Sequence, residues 1–272
     1  MLYDICFLYW TLPTQARTLS NGQRGKIQRM PVSKPKIFKS VSDLGEDEYR
    51  SLYNGFNSPI AEFDCGKKCA PHNPSGKPFC CDICHAVPAA YKSEWNYLNH
   101  STNLWHRWDG KECEDTTPEE VVQLKGNTPQ NMVLLACLGP SECRRDFRAV
   151  SCRQFPFFPY VTSEYRFIGL AYEWEFEAKC WVISNLSCVT AKYRQEFMLT
   201  YDQLFALFQE EFDHYAYHSE LMRAEFIRRK KRFPLLHRNG RDYLVSPKSE
   251  RLQRVDADDL PRFGVYQDPN NL

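Results

Sequence analysis

The chain has 272 residues, of which 43% are hydrophobic, 14% aromatic and 25% charged, a globular composition that excludes a fibrous or wholly disordered polymer. Lys and Arg number 35 against 34 Asp and Glu, so no overall charge attraction to nucleic acid operates. The longest apolar runs, such as Met132–Leu138, fall far short of the ~18–20 residues of a membrane span, and no membrane partner is expected.

Residues 1–40 carry Arg17, Arg24, Lys26, Arg29, Lys34, Lys36 and Lys39 against Asp4 alone, and read as a basic flexible N-terminal extension. Met30-Pro31 inside it reads as an alternative translation start. The opening Met1–Trp10 has no basic residue before it and is interrupted by Asp4, unlike a signal peptide. A reducing, cytoplasmic location is therefore expected, where the sequons at Asn99 and Asn185 carry no glycan and clustered thiols favour metal over disulfides.

The acidic stretch Asp43–Glu48 suits the first turn of a short helix over Tyr49–Tyr53. Pro88–Leu98 reads as a helix with Tyr91, Trp95 and Leu98 on one face. Thr117-Pro118-Glu119-Glu120 is a helix start, and Met132–Leu138 a buried strand. Tyr165–Ile183 alternates Tyr172, Trp174 and Phe176 with Glu173, Glu175 and Glu177, the period of a half-buried strand. Thr200-Tyr-Asp-Gln203 resembles a capping box, predicting a helix from there toward Lys231 and ending before Pro234. Leu235–Val245 reads as a hairpin about Asn239-Gly240, and the last ~20 residues as loosely ordered. The expected fold class is α+β: a single irregular Cys-rich domain over 41–232, with a small antiparallel sheet and a packed C-terminal helix, then a hairpin and tail over 233–272.

The abnormal number is 12 cysteines. One group is Cys65, Cys69, Cys80, Cys81 and Cys84, with His72 and His85 beside them; a second is Cys137, Cys143 and Cys152. Thiolates four or fewer residues apart reach one ion through a tight turn, and the intervening Gly and Pro supply such turns. A metal centre takes typically four of them, tetrahedral for zinc or around a cubane iron–sulfur cluster. These eight cysteines are the expected metal ligands, drawn from both groups folded toward each other. Eight exceed one four-ligand site, so either two centres exist or several thiols stand behind the ligands. Bound metal would support folding, because the core next to the loops is thin in aliphatics. Cys180 and Cys188 are left undecided, and Cys6 and Cys113 read as incidental. Arg153 is expected to offset the negative charge of a thiolate cofactor and hydrogen-bond to sulfur; Arg144, Arg145 and Arg148 are candidates for the same role.

The pattern Cys65-x3-Cys69, Cys80-Cys81-x2-Cys84 and then Cys137, Cys143 and Cys152-Arg153-Gln154-Phe155-Pro156 resembles the YkgJ-type cysteine-cluster family of zinc- or iron-chelating proteins. The resemblance covers roughly residues 62–160. It departs from the family in the ten-residue insertion between Cys69 and Cys80. What it implies is a metal or iron–sulfur site and, by analogy with flagellin lysine methylases that share a similar cluster, methyl-transfer chemistry.

Three competing patterns exist. Cys81-Asp-Ile-Cys84-His85 matches the covalent haem signature, but Cys65, Cys69 and Cys80 would be left without partners. Glu211-Phe-Asp-His214 is a single copy of a helical di-iron motif that needs two. Arg228–Arg232 is a basic run at a helix end, compatible with nucleic acid or an acidic protein partner; across 221–254 eleven Lys and Arg face only Glu225, Asp242 and Glu250. No phosphate loop, nucleophile elbow or dinucleotide fingerprint is present. The expectation is a cysteine-cluster protein holding an iron–sulfur cluster or zinc. The alternatives are an enzyme using that cluster, as methyltransferase or redox protein, and a basic interaction module with structural zinc.

Overall fold

The computed structural model describes residues 40–268; nearly all of the basic extension, with Cys6 and Met30, and the last four residues lie outside the described residues. In chain order the helices are α1 (Glu46–Gly55), α2 (Gly66–Cys69), α3 (Lys92–Ser101), α4 (Pro118–Asn127), α5 (Val150–Gln154), α6 (Ala191–Leu207) and α7 (Gln209–Arg229). The strands are β1 (Ala89–Tyr91), β2 (Trp105–Arg107), β3 (Met132–Cys137), β4 (Phe157–Val161), β5 (Phe167–Tyr172), β6 (Phe233–His237), β7 (Asp242–Val245) and β8 (Leu252–Val255). The fold class is α+β, as expected, but with two antiparallel sheets. One has β3 between β1 and β2; the other is a five-stranded meander in the order β4-β5-β6-β7-β8. Residues 233–255 therefore extend the sheet that β4 and β5 begin.

Local chemistry explains most of the elements. Glu46, Asp47 and Glu48 sit at the positive end of α1, and the Glu48 carboxylate accepts the Gly45 N–H at 3.1 Å. At α4, the helix start expected from the sequence, the Thr117 hydroxyl accepts the Glu120 N–H and the Glu120 carboxylate accepts the Thr117 N–H, a reciprocal cap. The β6–β7 turn runs through Gly240 at φ +80°, the left-handed geometry that Asn-Gly turns require.

Four expectations are corrected. The helix read over Pro88–Leu98 begins only at Lys92, because Ala89–Tyr91 pairs with Met132–Leu134; Tyr91, Trp95 and Leu98 are nonetheless all buried. The strand read over Tyr165–Ile183 stops at Tyr172, and Trp174–Phe176 is a 3-10 turn, so the alternation of aromatic and Glu residues is not a pleat. Thr200 is buried inside α6 rather than capping a helix; the cap is Thr190, whose hydroxyl accepts the Tyr193 N–H at 3.2 Å. Phe208, 2% exposed, leaves the helical region and divides α6 from α7. The described part of the tail, to Asp268, is held by packing: Leu260 and Tyr266 are buried, and the Tyr266 hydroxyl donates to the Lys179 carbonyl at 3.1 Å.

The core is aromatic. The largest fully buried side chains, among them Tyr49, Phe56, Phe158, Tyr193, Phe197 and Tyr201, are all Tyr or Phe. Helix α7 lies along the five-stranded sheet, where the Ser219 hydroxyl accepts the Val161 N–H at 2.9 Å and Arg223 reaches the Val161 carbonyl at 3.0 Å. The cysteine-bearing loops gather at the junction of this core with the smaller sheet.

Candidate metal centre

Short, turn-rich segments carry the thiols. Cys65 precedes α2 and Cys69 ends it; Cys80 and Cys81 lie in the 3-10 turn Phe79–Cys81. Cys137 ends β3, and Gly139 at φ +102° reverses the chain toward Cys143. Cys152 is in α5, immediately before the cis Phe155–Pro156 bond and β4. The insertion between Cys69 and Cys80 folds onto one carboxylate: Asp82 accepts from the Asn73 amide at 2.9 Å, the Ser75 hydroxyl at 2.6 Å and the Cys84 N–H at 3.2 Å. Burial alone would raise the Asp82 pKa, but these hydrogen bonds more than offset it and lower it. The inserted loop is thus a scaffold that holds the Cys80–Cys81 turn in place.

These segments enclose a cavity of about 260 Å³ whose wall includes Cys65, Cys69, Cys80, Cys81, Cys137, Cys143, Cys152 and Cys180. Trp105, Phe147 and Phe155 complete the apolar wall, and the rim carries the exposed Leu138, Glu142 and Arg144. Seven of the eight predicted ligands are brought together. Cys84 is not: it forms a disulfide with Cys113, across a separation of 29 residues. Cys113, read as incidental, is therefore structural, and the bond ties the Cys80–Cys84 turn to the loop before α4. It also removes Cys84 from the haem-attachment pattern. His72 and His85 lie outside the cavity wall, each against an aromatic ring, Tyr266 and Phe79 respectively. Cys188 is partly buried and also lies outside the wall.

Cys180 is the wall residue that sequence reasoning left open. The 3-10 turn Trp174–Phe176 bends the chain away from the sheet and returns Cys180 to the thiols; the Cys180 N–H bonds the Phe176 carbonyl at 2.8 Å. A strand reading of 165–183 hides this bend. No local signal marks it, because Ala178 and Cys180 continue the even-numbered apolar positions and Lys179 the polar ones.

Arg153 is not at the cavity. Its guanidinium, in a residue 3% exposed, donates to the carbonyls of Tyr53 (3.0 Å), Phe56 (2.5 Å), Arg145 (2.8 Å) and Arg148 (2.8 Å), and to the Asn57 side chain (3.1 Å). It also lies over the Tyr53 ring at 4.2 Å. Arg153 locks α5 to α1, and the expected cofactor contact is corrected on that ground. Arg148 is the arginine that reaches a wall sulfur: its Nε donates to Cys143 Sγ at 3.1 Å. Burial works against the Arg148 charge, but the sulfurs of Cys143, Cys152 and Cys81 more than compensate and raise its pKa.

Burial disfavours the thiolate form at five of the wall cysteines. Burial pushes Cys65 up to about 11, and raises Cys69, Cys137, Cys152 and Cys180 as well. Cys81 is lowered, by the hydrogen bond from Cys80 first and by Arg148. The Cys80 and Cys81 sulfurs are 3.8 Å apart. That is about the sulfur–sulfur edge of a tetrahedron with ~2.3 Å metal–sulfur arms. Among the described residues no group of three or more His, Cys, Asp and Glu side chains is drawn together closely enough to hold one ion. The sulfurs line the wall of a shared space rather than converge on a single point.

The other sequence candidates are accounted for. Glu211 and His214 are buried on α7, with the Glu211 carboxylate accepting from the Tyr91 hydroxyl. Of the basic run, Arg228 and Arg229 pair with Glu225, and Arg229 also with Glu177; Lys230, Lys231 and Arg232 remain exposed. No helix among the described residues is long and apolar enough to cross a membrane. No protein-family model, curated protein or solved structure matches the chain.

Proposed function

We propose that this chain is a metal-binding protein whose cavity thiols hold an iron–sulfur cluster or zinc. One observation carries the reading: loops far apart in sequence bring eight cysteine side chains to the wall of one 260 Å³ cavity. The donor set fits. Thiolates are the soft ligands that select zinc and iron–sulfur clusters over calcium or magnesium. Arg148 supplies a positive charge on sulfur, and Cys81 is the thiol most ready to lose its proton to an arriving metal. Bound there, the metal would cross-link the α2, β3 and α5 segments and, as an iron–sulfur cluster, carry an electron.

Support also comes from the resemblance to the YkgJ-type cysteine-cluster family on Cys80-Cys81 and Cys152-Arg153-Gln154-Phe155-Pro156, with Cys84 the departure. An enzyme using the centre, as methyltransferase or redox protein, is the second reading. It is favoured by the apolar wall of Trp105, Phe147 and Phe155 beside the sulfurs, which leaves a small molecule a place next to the metal. The third reading, a basic module with structural zinc, is weakened because Glu225 and Glu177 already neutralise Arg228 and Arg229.

Elemental analysis and an absorbance spectrum of anaerobically purified full-length protein test the proposal. Iron with acid-labile sulfide and a visible band that bleaches with reductant assigns the cluster; colourless protein with stoichiometric zinc assigns zinc. Protein free of both metals, which takes up neither on reconstitution, overturns the reading.

A further inference from the structure

The Cys84–Cys113 disulfide joins two pieces of the cavity wall, each with its own internal support. On one side is the turn that carries Cys80 and Cys81. It is braced by Asp82, which accepts from Asn73, Ser75 and the Cys84 N–H. On the other side is the loop between β2 and α4. There the Glu112 carboxylate accepts the Gly110 N–H at 3.0 Å and bonds the His106 ring at 3.1 Å, which fixes the loop to β2. Ile83, next to Cys84, and Glu112, next to Cys113, both line the cavity. Ile83 also packs on the small apolar cluster of Val87, Trp108, Leu124 and Ala136, a noncovalent contact across the same join. The disulfide makes that join covalent.

The two half-cystines are unequally placed. Cys84 is exposed, whereas Cys113 is 6% exposed. A reducing thiol therefore attacks at Cys84 and displaces Cys113. Exposed disulfides are the labile, regulatory ones, while shielded ones persist.

Resting on the metal-binding reading above for its cargo, we propose that the Cys84–Cys113 disulfide is a redox-operated clasp on the thiol cavity. Oxidised, it holds the Glu112 loop against the Cys80–Cys81 turn and slows the passage of metal. Reduced, the two pieces part and exchange is fast. A dithiol reductant opens it. The reductant's thiolate attacks Cys84 Sγ, the S–S bond breaks, and its electron pair leaves on Cys113 Sγ, which takes a proton. The reductant's second thiol then displaces Cys84 as a thiol and closes the reductant's own disulfide. Two electrons and two protons pass from the dithiol to the pair, and oxidised glutathione reverses the exchange. The clasp acts through the covalent tie, so losing either half has the same effect.

The test uses the full-length chain purified anaerobically, with mass spectrometry of its peptides reporting the Cys84–Cys113 bond. Metal-free protein is treated with N-ethylmaleimide, and labelling of Cys65, Cys69, Cys137 and Cys152 is timed peptide by peptide. Protein loaded with cobalt(II) or zinc is mixed with excess EDTA, and metal release is timed. Wild type reduced with dithiothreitol, removed before measurement, and the Cys84→Ser and Cys113→Ser variants should label and release about tenfold faster than oxidised wild type, because local opening no longer meets a covalent tie. Oxidised glutathione should restore the slow rates in wild type only. Circular dichroism checks that the variants fold, and reduced wild type carries the comparison if they do not. Equal rates with and without the bond overturn the clasp, and bound metal in those samples leaves the metal-binding reading standing. Absence of the bond from both purified and reoxidised chain also overturns it. Fast rates in Cys113→Ser but not in folded Cys84→Ser overturn it as well, because the freed Cys84 thiol is then the agent. Faster labelling on reduction in a chain that takes up neither cobalt, zinc nor iron with sulfide supports the clasp as a gate on the thiols and overturns the metal-binding reading.

Discussion

Replacing Arg153 with Met separates the two roles that sequence and structure give this residue. The guanidinium donates to four backbone carbonyls, of which those of Tyr53 and Phe56 are buried with it. The Tyr53 carbonyl keeps the Phe56 N–H at 3.3 Å, so the Phe56 carbonyl is the buried acceptor left orphaned, at ~1–3 kcal/mol. The lost contact with the Tyr53 ring adds ~0.5–2 kcal/mol, and the apolar Met stem recovers part of the total. The expected destabilisation is therefore about 2–3 kcal/mol, in the upper part of the usual single-residue range. Arg153→Lys keeps the charge but not the planar fork, and should fall between the two. Urea unfolding of the full-length protein reads the stability, and metal per folded chain is measured on the same samples. Arg148→Gln should show the inverse pattern, with a small change in midpoint and reduced metal retention, because its donor rests on Cys143 Sγ. A wild-type midpoint together with lost metal in Arg153→Met would refute the structural assignment and restore Arg153 as a cofactor residue.

Further outcomes follow from the same structure. Under non-reducing conditions Cys113→Ser should lower stability by about 3–4 kcal/mol, the chain-entropy value for closing a loop of this length, and wild type treated with dithiothreitol should match it; equal urea midpoints for variant and untreated wild type would show that the Cys84–Cys113 bond is absent in solution. Glu211 is 1% exposed, and burial raises its pKa from 4.5 to about 7. The folded state therefore binds this proton more tightly than the unfolded chain. The resulting stability, roughly 3 kcal/mol, is fully present below pH 4.5 and is lost as pH rises through about 7. Glu211→Gln keeps an oxygen for the Tyr91 hydroxyl, so its unfolding free energy should lack that decline; parallel profiles for variant and wild type from pH 5 to 8 would contradict the assignment. Thr190→Ala should cost about 1 kcal/mol through loss of the α6 cap, whereas Thr200→Ala should not behave as a cap deletion; a helix destabilised only by the second change would reverse that reading.

Legibility in the sequence followed the range of the interaction. The α4 cap, the buried strand β3 and the Asn239-Gly240 hairpin were readable because residues within a few positions decide them. The aromatic alternation after Tyr172 misled because period two describes a strand only where a partner strand exists, and β5 has run out of its partners by then. Thr200 misled similarly: a capping-box pattern holds no meaning inside a helix already started by Thr190. At the site, thiol spacing pointed to the cysteines of the two groups. It could not separate Cys84, drawn off by Cys113, from Cys80 and Cys81 nearby, nor recruit Cys180 from beyond a bend.

By itself the sequence determined the α+β class, the abundance of thiols in closely spaced groups and the positions of the principal turns, all consequences of composition and short-range backbone preference. Tertiary structure alone decided which sulfurs share a wall, that Arg148 rather than Arg153 faces them, and that the tail packs on the Cys180 loop. Those outcomes depend on contacts between residues far apart along the chain, which the packing of the aromatic core and the two sheets sets and which no local spacing encodes.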